Sequence, residues 1–124
     1  MNKMEIEIPR EIQKELEKKG GIKGVSARIP LKDIELVAKV MRTLADEKRL
    51  KILYALAEQR MCVCLLTEIT ECAYSKCSYH ISKLREAGLI KAVKKGSYII
   101  YSLTSFGRSI VRHFSKYKPE EVIK

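Results

Sequence analysis

The 124-residue chain has no unbroken apolar run longer than six residues, as in Met61–Leu66. A bilayer-spanning helix needs about 20 such residues, so no membrane crossing is expected. The first residues alternate in charge and lack an apolar h-region, which excludes a secretory signal. Both absences lead to the expectation of a cytoplasmic protein, where thiols stay reduced. Histidine is scarce, two in all. No serine or cysteine sits in a nucleophile motif, and no glycine-rich phosphate loop occurs. An enzyme is therefore not expected, and so short a chain leaves no room for a substrate pocket of ordinary size. Internal repeats of 20–50 residues and low-complexity tracts are also missing.

Acidic side chains are in deficit as well: 15 Asp and Glu stand against 25 Lys and Arg, a formal charge of +10. The excess is concentrated. Residues 1–30 carry a net +2, residues 31–70 a net +1 and residues 71–124 a net +7. Between Lys76 and Lys118 there are ten basic residues and one acidic one, Glu86. Like charges at that density repel one another unless a polyanion meets them. Double-stranded DNA is the partner this pattern favours. An anionic membrane surface fits less well, because the basic residues do not share one amphipathic helix.

The 46% apolar content suffices for a single core. Residues 1–30 read as a polar helical extension. Pro9 suits the first turn of a helix, with Glu5, Glu7 and Glu11 near its positive end. Gly20, Gly21 and Gly24 should stop that helix and leave a flexible link to Pro30. Residues 31–118 read as one folded domain, and residues 119–124 as a tail. Within the domain, Ile34, Val37, Val40, Met41 and Leu44 follow helical spacing, with Asp33 as cap. Asp46 caps a second helix from Glu47 to about Gln59, with an inward stripe of Leu50, Leu53, Leu56 and Ala57. A short third helix fits Val63 to Thr70. Ser75 can cap a fourth that runs to Ala87 and closes at Gly88. Its inward stripe is Cys77, Ile81 and Leu84. Strands Ile90 to Lys94 and Tyr98 to Leu103 flank the tip Lys95-Gly96-Ser97. Thr104 starts a last helix, lined on one side by Phe106, Ile110, Phe114 and Tyr117.

This is a mainly α chain with one β-hairpin, the order of a winged helix-turn-helix. In that geometry the second helix of the motif enters the major groove. Its outer face offers Ser75, Lys76, Ser78, Tyr79, Ser82 and Lys83 to DNA. Lys94 and Lys95 on the hairpin would touch phosphates beside it. One such module makes few contacts, so a homodimer is expected. Its interface would be built from Ile34, Val37 and Met41 of the first domain helix and Phe106, Ile110 and Phe114 of the last. The competing reading places both stripes in the monomer core.

Three stretches carry a family resemblance: Leu44-Ala45-Asp46-Glu47-Lys48-Arg49-Leu50-Lys51-Ile52-Leu53, then Cys62-Val63-Cys64, then Ser78-Tyr79-His80-Ile81-Ser82-Lys83-Leu84-Arg85-Glu86-Ala87-Gly88-Leu89. With the hairpin ending Tyr101-Ser102-Leu103, the region from Leu44 to Leu103 resembles the ArsR/SmtB family of metal-responsive repressors. The resemblance implies a dimeric winged-helix repressor that binds operator DNA when empty and releases it when an inducer binds.

Cys62, Cys64, Cys72 and Cys77 fall within 16 residues. Thiolates select soft or borderline ions such as As(III), Cd(II), Pb(II) or Zn(II). The resemblance carries inducer ligation onto Cys62 and Cys64. Residues two apart on a regular helix point roughly 200° apart, so the pair can share an ion only if the chain at Cys62 is not yet helical. The third cysteine common in arsenic sensors of this type is replaced by Thr67, and residues 1–61 offer no cysteine arm. The family's other site, Asp and His on the last helix, finds only His113 here. A helix between Cys64 and Cys72 would rise about 12 Å. Cys72 therefore joins the site only if that helix is short or bent, or if it comes from the other subunit. Cys77 and His80 fit local packing or hydrogen bonding. A four-cysteine structural zinc site is disfavoured by the spacing. The alternative function is a thiol–disulfide redox regulator of the same fold.

Overall fold

The computed structural model describes residues 7–117 and Glu120. The expected 119–124 tail, Glu120 apart, lies outside the described residues, as do Glu5 and Lys118. Among the described residues the elements run α1 (Arg10–Lys18), α2 (Gly21–Arg28), α3 (Leu31–Leu44), α4 (Glu47–Glu58), α5 (Val63–Thr70), α6 (Tyr74–Glu86), β1 (Ile90–Lys95), β2 (Tyr98–Leu103) and α7 (Ser105–Ser115). The chain divides into two compact units, Met1–Leu36 and Val37–Lys124, and the division falls inside α3.

In the first unit, the flexible link expected between Gly20 and Pro30 is instead a helix, α2. Gly20 adopts a left-handed conformation (φ 90°) that turns the chain after α1. Gly24 lies inside α2 rather than ending it. A Cβ there would come within 2.6 Å of the Lys19 carbonyl oxygen, so the glycine permits close approach of the two helices. The Arg28 guanidinium donates to that same carbonyl. Neither α1 nor α2 buries a residue.

Helix α3 starts at Leu31, two residues before the expected cap Asp33. The Pro30 carbonyl accepts the first helical bond, from Ile34 at 2.9 Å, and Asp33 sits in the first turn. A carboxylate there still meets the positive end of the helix dipole. Asp46 caps α4 as expected, accepting from the Arg49 backbone N–H at 3.1 Å. Burial would raise the Asp46 carboxyl. The hydrogen bond from Arg49, the nearby His80 and Arg49 side chains, and the Lys48 backbone outweigh it and hold the group below the usual carboxylate range.

The core of the second unit centres on Ile52, Leu53, Leu56, Leu66, Leu84 and Leu89. The stripe expected on α4 is buried at Leu53 and Leu56, and burial extends beyond it. Ile52, Leu53, Ala55 and Leu56 are buried, whereas Leu50 and Ala57 are only partly so. The physical reason is that α4 touches α5, α6, α7 and β2, so neighbours cover more than one of its faces. On α6 the expected inward stripe holds: Cys77, Ile81 and Leu84 are all buried. That helix begins at Tyr74 with Ala73 as its N-cap and no side-chain cap, so Ser75 is not the capping residue. It lies one residue inside the first turn.

Strands β1 and β2 pair antiparallel from Ile90↔Leu103 to Lys95↔Tyr98, one residue further than expected, leaving Gly96-Ser97 as the turn. Met61 adds a bridge to β2, with backbone bonds to Tyr101 of 3.0 and 2.8 Å. The Thr104 hydroxyl caps α7 by accepting from Gly107 N–H at 3.0 Å, and it donates to the Gly88 carbonyl at 2.6 Å. A Cβ at Gly107 would fall 2.0 Å from the Leu89 carbonyl oxygen, so only glycine lets α7 seat there. Helix α7 buries Gly107 and Val111. Ile110 and Phe114 pack partly against the core, while Phe106 and Tyr117 remain exposed.

Candidate nucleic-acid interface and thiol site

The two helices of the motif are α5 and α6, joined at a sharp turn. Glu71 ends α5 in the left-handed region (φ 52°), unusual for a residue with a side chain. The Lys48 ammonium, reaching from α4, donates to the Thr70 carbonyl at 2.7 Å and approaches that of Glu71 at 3.4 Å. A cation at the negative end of α5 is favourable and holds the turn. The buried Thr70 hydroxyl bonds back to the Leu66 carbonyl at 2.7 Å.

Burial of one α6 stripe leaves the opposite face outward. Ser75, Lys76, Tyr79 and Ser82 are exposed, while Ser78 and Lys83 are half-buried. Ser75, Lys76, Tyr79 and His80 line one shallow depression. Two cations lie near the Tyr79 ring, the Arg49 guanidinium 5.8 Å and the Lys83 ammonium 5.5 Å from its centroid. Lys83 also pairs with Glu86 at 3.4 Å, an exposed contact of little energetic weight. His80 is engaged locally, its Nδ1 accepting from Arg49 Nε at 3.1 Å. Lys94 and Lys95 are exposed at the far end of β1. Arg49 and Lys48 were missed by the sequence reading. Their position in the first turn of α4 was the available signal, but nothing in the helical period shows which neighbours they reach.

Cys62 is the N-cap of α5, half-buried, with extended backbone (φ −83°, ψ 167°). The residue before it is the one bridged to Tyr101, so its approach to the helix is pinned to β2. Cys64 is exposed in the first turn. Thr67, at the position of the third cysteine, donates its hydroxyl to the Cys64 carbonyl at 2.6 Å. Helix α5 is unbroken from Val63 to Thr70 and separates this pair from Cys72. Cys72 is half-buried in the turn, and Cys77 is fully buried. Burial pushes the Cys77 thiol up, the nearby Cys72 adds to this, and a hydrogen bond with Thr70 partly offsets it. All four cysteines are free. Among the described residues, no three His, Cys, Asp or Glu side chains converge as a metal cluster. The thiol chemistry at Cys62 and Cys64 suits soft ions, with two donors from the protomer.

On α3, Val37 and Met41 of the second unit are exposed, at 53% and 60%, and Ile34 of the first unit is 46% exposed. Of the α7 trio, Phe106 is exposed and the other two are partly covered. No helix among the described residues is long and apolar enough to cross a membrane.

A model of the family described as "Bacterial regulatory protein, arsR family" matches residues 46–92, from the α4 cap into β1. The chain is 48% identical over 63 residues to the arsenical resistance operon repressor of Bacillus subtilis (strain 168), covering 50% of this chain and 60% of that protein. It is 40% identical over 68 residues to the cadmium resistance transcriptional regulatory protein CadC homolog of Staphylococcus aureus, covering 54% and 56%. The crystal structure of NolR from Sinorhizobium fredii matches with a TM-score of 0.64 at 31% identity, over 71% of this chain and 91% of that one. The chain thus spans little more than half the length of the two curated relatives.

Proposed function

Since the chain belongs to the arsR family of bacterial regulatory proteins and has the winged helix-turn-helix fold, we propose that it is a homodimeric DNA-binding repressor released by a thiophilic ion at Cys62 and Cys64. The two curated relatives are by name an arsenical and a cadmium regulator, which supports a soft inducer without choosing one. The observation that carries the proposal is the backbone at Cys62. An extended N-cap frees its side chain from the 100° step of the helix, the condition under which residues two apart can converge on one ion.

Helix α6 enters the major groove with Ser75, Lys76, Ser78, Tyr79, Ser82 and Lys83 toward the bases and backbone, and Lys94 and Lys95 meet phosphates. Ile34, Val37 and Met41, with Phe106 and the partly covered Ile110 and Phe114, form the dimer interface. Cys72 is not a third ligand within the same protomer, because the intact α5 spans about 12 Å between it and Cys64. Ligation from one end of α5 pulls on the first helix of the motif and so changes how α6 is presented. An effect of about 1–3 kcal/mol on DNA affinity is typical of such coupling.

The test is a gel shift on a duplex that the protein itself enriches from a randomised pool, with arsenite, Cd(II) or Zn(II) added. At least one ion should weaken binding 5-fold or more, in line with about 1 kcal/mol of coupling. Cys62→Ser and Cys64→Ser should each abolish that effect. Affinity unchanged by every ion refutes the sensor, and no enriched duplex refutes DNA binding itself.

A further inference from the structure

Arg49 lies in the first turn of α4, on neither α6 nor the hairpin, and its guanidinium donates to both α3 and α6. Nη1 donates to the Thr43 carbonyl in the last turn of α3 at 3.2 Å. Nε donates to His80 Nδ1, midway along α6, at 3.1 Å. The guanidinium also faces the Tyr79 ring, and the backbone N–H is held by Asp46. One side chain therefore joins the end of α3 to the centre of α6.

Apolar packing holds α6 against the core through Cys77, Ile81 and Leu84. Such packing sets which face of α6 turns inward, but it is non-directional and provides no fixed link to the end of α3. The N-terminus of α6 also has no side-chain cap. A guanidinium, by contrast, is a planar fork whose N–H directions are fixed relative to one another. Bound to Thr43 at one arm and His80 at the other, it makes the rotation of α6 a function of where α3 ends.

We propose that Arg49 is a positioning residue that locks the reading helix to the end of α3 and thereby sets the half-site spacing the dimer accepts. This rests on the reading of the chain as a DNA-binding dimer joined through α3. It also separates Arg49 from the exposed lysines: Nε and Nη1 already donate within the protein, so the role assigned to Arg49 is orientation of α6 and not contact with a phosphate.

The experiment compares wild type with Arg49→Lys, which keeps the charge but has a single ammonium that cannot bridge both partners. Both are titrated on the enriched duplex and on versions with the half-sites moved apart or together by two base pairs, at several salt concentrations. Wild type should lose about tenfold or more on the respaced duplexes, the scale of a lost base contact. The variant should bind all three within about threefold, with an unchanged salt slope. A slope lower by about one unit with spacing preference intact identifies a phosphate contact and overturns the proposal. Unchanged spacing preference and slope overturn it too.

A measurement on the free protein distinguishes failure of the proposal from failure of DNA binding. Nitrogen-15 spectra above pH 8 should show the His80 ring protonated on Nε2 alone in wild type, because Nδ1 accepts from Arg49. Arg49→Met should give a mixture of both tautomers. If that variant does not fold, Arg49→Lys is read in its place. If wild type enriches no duplex, the same spectra decide: an unchanged His80 tautomer overturns the lock, and a mixed one supports it.

Discussion

The two ends of α5 carry the same chemical group in opposite physical states. At the N-terminal end Cys62 and Cys64 lie on an extended cap and an exposed first turn, with the chain pinned to β2 just before them. Past the C-terminal end Cys72 is half-covered in a tight turn, and Cys77, in the first turns of α6, has no exposed surface. Eight helical residues separate the ends. Identical thiols are therefore suited to different work. Accessible ones can bind an ion, whereas a buried one behaves as a small apolar side chain whose neutral form is favoured.

The sharpest way to break this contrast is to move the serine substitution along the helix. Cys62→Ser or Cys64→Ser should erase ion-dependent release from DNA, a loss of 5-fold or more by typical coupling energies, while the melting temperature stays unchanged. Cys72→Ser should leave the ion response intact. Loss of the response in Cys72→Ser would place a ligand at the wrong end of α5.

Cys77→Ser should do the reverse, sparing the ion response and lowering stability by about 1–3 kcal/mol, because a hydroxyl replaces a thiol in an apolar site. Thermal unfolding would register this as about 4–8 °C for each kcal/mol in a domain of this size. A melting temperature equal to wild type would mean the site is wetter than its burial implies.

Lys48→Met tests the turn itself. It removes the cation that caps the Thr70 and Glu71 carbonyls and should cost about 0.3–1 kcal/mol, the usual range for a charge at a helix end. Denaturant titration resolves that difference, and the loss should shrink in high salt if charge is its origin.

The smallest expected effect concerns alkaline pH. The Cys77 thiol is raised in the folded protein above its ordinary value of 9.0. The unfolded chain therefore gives up this proton first as pH rises. The stability associated with the buried neutral thiol is fully present below about pH 9 and is lost above it as pH climbs through the folded value. Cys77→Ala should flatten that part of the stability–pH curve, and an identical slope in both proteins would assign the alkaline loss to other groups.

Much of the second unit is legible in residue order because its signals are local. Asp46 and Thr104 are caps that act within three residues, and Val63 to Thr70 is bounded by an extended cysteine before it and a left-handed turn residue after it. The inward stripe of α6 is readable because one face of it meets the core. On α4 the same reasoning falls short, since several neighbours surround the helix and no single stripe describes its burial. Ser75 fails as a cap because α6 already begins at Tyr74, with Ala73, two residues earlier, as its N-cap. The α2 helix is hidden by its glycines. Gly24 looks like a stop signal, but it is needed for contact with Lys19, and a close approach between two helices leaves no trace in a propensity.

The order of amino acids alone determined the kind of molecule: a positive surplus in the last third, helical periods broken by one hairpin, and four clustered thiols, all set by composition and short-range spacing. Tertiary structure alone decided which thiols are accessible, that Met61 holds the first of them against β2, and that Lys48 and Arg49 face inward onto the motif rather than outward. Those outcomes depend on groups 20 to 40 residues apart meeting in space, and a period of 3.6 or 2 carries no information about such meetings.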